Sequence, residues 1–152
     1  MIGGDRWSSS GRRLHTTPEE VAMTLARTHL ERAPWAYFEA VDAKDLQASL
    51  AFFADDATFT IQSAGVVFNG REEIAGMFRS FFADHETICH NITNIVVDEA
   101  AAKSATEQTC PHVRLDGSPD TLTTCNFFTF GPDGTFARVI IWIDGANPLV
   151  WE

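Results

Sequence analysis

The chain of 152 residues and 16.8 kDa suits one domain, large enough to bury a core and leave room for a cavity but too small for two such cores. Its formal charge of −10 repels a phosphate backbone, and no Lys/Arg cluster offsets it, so nucleic acid is excluded as a partner. Apolar residues make up 45%, with twelve Phe, four Trp and one Tyr, yet no apolar run reaches the roughly 20 residues of a membrane span, so no membrane partner is expected.

Residues 1–16 are rich in Gly, Ser and Arg without periodicity and predict a disordered tail ahead of a single domain over 17–152. The Thr17-Pro18-Glu19-Glu20 box predicts a helix start running to about Arg32. Pro34 predicts a break before a second helical piece, Trp35 to Ala43. Asp45 then caps a third, Leu46 to Ala54. Ala57 to Gln62 alternates as a strand, Asn69-Gly70 is a turn signal, and the spacing of Ile74, Met77, Phe78, Phe81 and Phe82 predicts a helix over Arg71–Ala83.

Beyond Asp84 the period changes to two. Thr87–Asp98, Ala102–Leu115, Thr121–Phe130 and Phe136–Ile143 predict four long strands, punctuated by Asp116-Gly117-Ser118-Pro119 and Gly131-Pro132-Asp133-Gly134. Helices followed by such a meander predict an α+β fold in which N-terminal helices pack on a strongly curved, mostly antiparallel sheet that encloses a cavity.

Alternation places particular side chains on shared faces. His90 shares one with Ile92, His112 with Cys110 and Gln108, and Asn126 with Phe128 and Phe130. If these faces are concave, two imidazoles, an amide and the helix-end carboxylate of Asp42 converge. That set suits elimination, which needs a base near neutral pKa, a carboxylate to fix its tautomer, and donors for developing oxyanion charge. Trp35, Phe38, Ile61, Phe128 and Ile141 are the expected apolar lining. Each polar residue also has a structural explanation: Asp42 as a turn or helix cap, Asn126 as a strand-backbone partner, and either His as a satisfied strand residue.

Cys89, Cys110 and Cys125 form no spaced framework, and the odd count suits buried thiols in a cytoplasmic protein. Cys89 points opposite to His90, and Cys-x-His alone closes no tetrahedral site, so no metal and no other cofactor is expected.

The stretch AYFEAVDAKDLQASLAFFADDATFTI resembles the opening of the nuclear-transport-factor-2-like (SnoaL-like, cystatin-like) superfamily, and the resemblance extends over about residues 18–150. Asp42, His90, Pro111-His112 and Asn126 stand where scytalone dehydratase carries its functional Asp, two His and Asn. The segment HETICHNITN is similar to the part of hexachlorocyclohexane dehydrochlorinase that holds the His of an Asp–His pair. Both relatives perform eliminations. Tyr37, five residues before Asp42, matches the oxyanion-hole tyrosine of ketosteroid isomerase in spacing. Val41 and Ile61 stand where scytalone dehydratase has the two tyrosines that hold its catalytic water, and Ile61 also replaces the isomerase base.

The resemblance therefore implies a cofactor-free lyase of dehydratase type acting on a small hydrophobic carbonyl compound. His90 would take the proton, Asp42 or Asn126 would orient it, His112 would protonate the leaving group, and Tyr37 would polarise the carbonyl. An isomerase or polyketide cyclase uses the same pocket, and a non-catalytic binding or assembly module shares the fold. Alternate apolar residues Val113, Phe127 and Ile140 suggest a homodimer through the convex sheet face.

Overall fold

The computed structural model describes residues 25–145 and 147–150. The predicted tail and the Thr17-Pro18 helix start lie outside the described residues. Helix α1 runs Arg27–Asp42, α2 Leu46–Leu50 and α3 Gly70–Asp84. The strands are β1 Phe53–Ile61, β2 Val66–Asn69, β3 His85–Ile88, β4 Asn91–Asp98, β5 Lys103–Arg114, β6 Pro119–Phe130 and β7 Phe136–Asp144.

Pro34 does not break the chain, although it lacks the N–H that a helix interior uses. It lies inside a continuous α1, fully buried on the face that carries Leu30, Ala33, Tyr37, Phe38 and Val41. The apolar repeat at three and four residues fixes that face against the sheet, and its burial outweighs one missing backbone bond. The expected third helix is shorter than its periodicity suggested, because Phe52 and Phe53 leave it to enter the core and begin β1. Asp45 caps it as predicted, accepting from Ala48 N at 2.9 Å.

Between α1 and α2 the chain turns through Lys44, a non-glycine residue at φ 54°. Its Nζ donates to the carbonyl of His85 at 2.8 Å, tying the end of α1 to the α3–β3 junction.

The sheet order is β2-β1-β7-β6-β5-β3, with β4 also on β5. β1 lies parallel to β7, and every other pairing is antiparallel. The helices close the hollow of this strongly curled half-barrel. β2, which the sequence pattern did not resolve, extends the β1 edge.

Alternation on the two longest strands decides what lies inside. The buried residues of β5 are Ser104, Thr106, Gln108, Cys110 and His112, and those of β6 are Leu122, Thr124, Asn126, Phe128 and Phe130. The register pairs Ser104 with Phe128, Thr106 with Asn126, Gln108 with Thr124 and Cys110 with Leu122. One end of the inner face is therefore aromatic, where Phe128 and Phe130 meet Phe53 and Phe136, and the other is polar.

Candidate functional site

The predicted single strand Thr87–Asp98 is broken at Cys89-His90, between β3 and β4. Opposite the break lies Pro111, whose carbonyl accepts from Cys89 N at 3.1 Å but which has no N–H to return. The ladder lapses there, and the backbone N–H of His90 donates to Asp42 Oδ2 at 2.9 Å. The second carboxylate oxygen takes His90 Nδ1 at 2.5 Å. One side chain at the C-terminus of α1 thus holds both backbone and ring of His90.

The C-terminus of a helix is the unfavourable end for a carboxylate, which makes a cationic partner the natural complement. The His90 ring stacks on Phe38 with centroids 4.5 Å apart. Burial alone lowers the pKa of this imidazole, but the hydrogen bonds to Asp42 and to the Cys110 sulfur raise it more, to about 9. Because Nδ1 faces the carboxylate, Nε2 is the nitrogen that meets the Cys110 sulfur and the cavity.

His112 is 5% exposed and lines the same cavity as His90. Its Nδ1 donates to the Cys110 carbonyl at 3.2 Å, and its buried Nε2 has no hydrogen-bond partner among the described residues. Asp120 Oδ2 lies 4.0 Å from that atom. His85, which the sequence pattern did not single out, packs edge-on against His112 with ring centroids 4.9 Å apart. Its Nδ1 donates to the Phe81 carbonyl at 2.7 Å. Burial, more than the nearby charges, lowers its pKa.

The cavity wall contains Tyr37, Phe38, Gln108, Asn126 and Ile141 besides the two histidines. Asn126 Nδ2 donates to Thr124 Oγ1 at 3.1 Å. Tyr37 is ringed by Phe38, Phe52, Phe53, Phe78, Phe128 and Phe136 at centroid separations of 4.8 to 6.3 Å. Burial first, and the charge of Asp42 second, push its phenol well above the ordinary range, so it stays a proton-bearing donor.

Three expected lining residues lie elsewhere. Trp35 is 46% exposed on the outer side of α1, because it falls between the buried positions Pro34 and Tyr37. Ile61 and Phe128 are fully buried in the hydrophobic core rather than on the cavity wall. Among the lining residues that were not proposed, Gln108, Cys110 and Thr124 share the two-residue alternation with His112 and Asn126. That alternation was the available signal.

The free space measures about 50 Å³, counted as room for the centres of water-sized molecules, which holds a few waters or a compact organic molecule. Among the described residues no group of three or more His, Cys, Asp or Glu is placed to hold a metal ion. All three cysteines are free thiols. No described helix is long and apolar enough to cross a membrane.

A family model described as a SnoaL-like domain matches residues 36–139. No curated protein matches the chain significantly. Among solved structures, PrhC from Penicillium brasilianum is similar at 18% identity and TM-score 0.71, over 78% of this chain and 82% of that one. A provisionally named aromatic ring hydroxylase from Novosphingobium aromaticivorans is similar at 24% identity and TM-score 0.70, over 86% and 96% of the two chains. A provisionally named SnoaL-like polyketide cyclase from Shewanella denitrificans shares 11% identity at TM-score 0.70, over 78% and 92%. At these identities the likeness is one of fold.

Proposed function

The chain belongs to the SnoaL-like domain family, and from that premise we propose that it is a cofactor-free lyase that eliminates water from a small hydrophobic β-hydroxy carbonyl compound. The observation that carries this reading is the two-point grip of Asp42 on His90 at the wall of an enclosed cavity. A carboxylate so placed fixes the imidazole tautomer with its proton on Nδ1, and leaves Nε2 as a base.

In the proposed step, neutral His90 Nε2 takes the proton from the carbon next to the carbonyl. The released electron pair first enters the carbonyl as an enolate, whose oxygen is held by amide donors such as Asn126. Collapse of the enolate forms the carbon–carbon double bond and expels the β-hydroxyl. That oxygen takes a proton from His112 Nε2 and leaves as water. Proton exchange between the two imidazoles restores the resting state. Tyr37 offers a further donor to the carbonyl from the cavity wall.

The test offers cyclic β-hydroxy ketones to the protein and follows the conjugated product by its absorbance. Turnover lost in His90→Gln and Asp42→Asn supports the reading. α-Proton exchange into solvent without loss of water would instead favour an isomerase or cyclase, the chemistry for which the Shewanella neighbour is named. The aromatic filling of one end of the hollow favours a binding module, and ligand binding with neither exchange nor turnover would select it.

We place the protein in the cytoplasm as a homodimer, paired through the outer sheet face. There Phe127 and Trp142 are 46% and 51% exposed, with the half-buried Ile140 beside Phe127 and the half-buried Val113 farther along β5.

A further inference from the structure

Gln108 is 1% exposed in the middle of β5, an unusual place for a primary amide. Its orientation is fixed. The Thr106 hydroxyl donates to Gln108 Oε1 at 3.0 Å, which commits the oxygen to one side and turns the NH₂ group the other way. On that side, the only partner Nε2 meets among the described residues is the sulfur of Cys110, a weak acceptor at 3.8 Å. A primary amide carries two N–H donors, so one is held softly and the other has no hydrogen-bond acceptor among the described residues. Gln108 and Cys110 both line the cavity, and Cys110 lies opposite the strand break that presents His90.

A hydrophobic substitute would pack this position without the cost of a half-satisfied buried amide. The imbalance is specific in sign. Thr106 fills the acceptor, and what lacks a partner is donor capacity. His112 is likewise nine-tenths buried on the same wall, with its Nε2 unpartnered. Two inner-face positions of β5, on either side of Cys110, therefore carry polar groups with spare hydrogen-bonding capacity toward the cavity.

We propose that Gln108 is the carbonyl-binding residue of the cavity, its amide N–H donating to the oxygen of an uncharged ketone or aldehyde, with Thr106 as the positioning residue that keeps the amide from flipping. This rests on the reading that the cavity takes a carbonyl compound, and it adds Gln108 to the donors, Asn126 and Tyr37, which that reading places at the carbonyl oxygen. Gln108, Cys110 and His112 follow one another at alternate positions along the inner face of β5, so a carbonyl oxygen held by Gln108 leaves the rest of the ligand to extend toward His90 and His112. That order matches a base followed by a leaving-group acid.

The probe is cyclohexanone labelled with carbon-13 at the carbonyl, with methylcyclohexane as a matched ligand that lacks an acceptor. Wild-type protein should bind the ketone with a downfield shift of the carbonyl resonance. Gln108→Leu should abolish the shift and weaken ketone binding about 5- to 10-fold, the loss expected for one hydrogen bond, while methylcyclohexane binds as well or better. Because Gln108→Leu strands the Thr106 hydroxyl, the double variant Thr106→Val/Gln108→Leu serves as a second form with no orphaned group and should behave alike. Thr106→Val alone, with the amide free to flip, should keep ketone binding but reduce the shift.

Ketone binding and carbonyl shift that survive in both leucine variants would overturn the proposal, as would wild-type protein that does not bind the ketone. Gln108-dependent ketone binding in a protein without lyase turnover would support this proposal while ending the elimination reading.

Discussion

Asp42 holds His90 through both of its carboxylate oxygens, one on ring Nδ1 at 2.5 Å and one on the backbone N–H at 2.9 Å. The N–H lies at the break in the edge strand opposite Pro111, so the carboxylate at the end of α1 also anchors the chain where the ladder lapses.

The pair predicts an imidazole that titrates far from its usual value. In wild-type protein His90 should lose its proton at about pH 9. In Asp42→Asn the strongest raising influence is gone while burial remains, so its pKa should fall clearly below that of the wild type. Histidine side-chain NMR across pH 5 to 10 reads this without a substrate. A His90 resonance titrating near 6.5 in the wild type would show that the carboxylate does not control the ring.

Two histidines with opposite shifts should give stability a maximum. His90 binds its proton more tightly folded than unfolded, so its contribution is full below about 6.5 and is lost as pH rises through about 9. His85 is shifted down by burial, so the unfolded chain binds the proton more readily, and stability is lost as pH falls below about 6.5. Thermal melts should therefore peak near pH 6.5, and His90→Gln should flatten the alkaline limb selectively. An alkaline limb unchanged in that variant would contradict the assignment.

The distinction between core and cavity wall predicts unequal responses at two aromatic positions. Phe128→Ala opens a void in the packed end of the hollow and should cost about 3–5 kcal/mol. Trp35→Ala removes a half-exposed ring from the outer side of α1 and should stay within about 0.5 kcal/mol. Chemical denaturation of both variants is the check, and comparable losses would place Trp35 in the core.

These positions also show how far the sequence could be read. Alternation on β5 and β6 is strict enough that the residue pattern alone assigns His112, Cys110 and Gln108 to one face of their strand and Asn126 to one face of its own. What alternation cannot give is position along the cone. Phe128 and Asn126 share a face, yet Phe128 faces Ser104 at the aromatic end while Asn126 reaches the cavity, a difference set by cross-strand register. The unbroken α1 was missed because a proline's local cost is legible and the packing that offsets it is not. His85 escaped notice because its burial comes from the α3–β3 junction and from His112, a contact distant in sequence.

The convex face makes an association prediction. Phe127 and Trp142 stand exposed on adjacent strands β6 and β7, with Cys125 paired to Trp142 and Phe127 to Ile140 across them. Replacing both exposed aromatics with Glu should convert a dimer to a monomer in sedimentation experiments while leaving the melting cooperative. Wild-type protein that sediments as a monomer at high concentration would remove the proposed interface.

The final prediction separates orientation from basicity at Asp42. If the carboxylate only fixes and charges His90, Asp42→Asn should keep ligand affinity nearly unchanged and slow the chemical step by roughly 10²-fold or more, as loss of positioned acid–base catalysis typically does. His90→Gln should slow it at least as much, and the double variant should be no slower than the single ones, because both changes disable one unit. The pH dependence fixes the sign. A base that is protonated until about pH 9 makes the wild-type rate climb with pH toward that value, since only neutral His90 can accept the substrate proton. In Asp42→Asn the lowered pKa should move that rise to lower pH, so the variant's deficit is greatest at high pH, where wild-type His90 is already neutral, and narrows as pH falls. A wild-type rate that instead falls through pH 9 would make the imidazolium a proton donor to the leaving group and exchange the roles of His90 and His112. A parental rate in Asp42→Asn would reduce the carboxylate to a cap that anchors the broken strand.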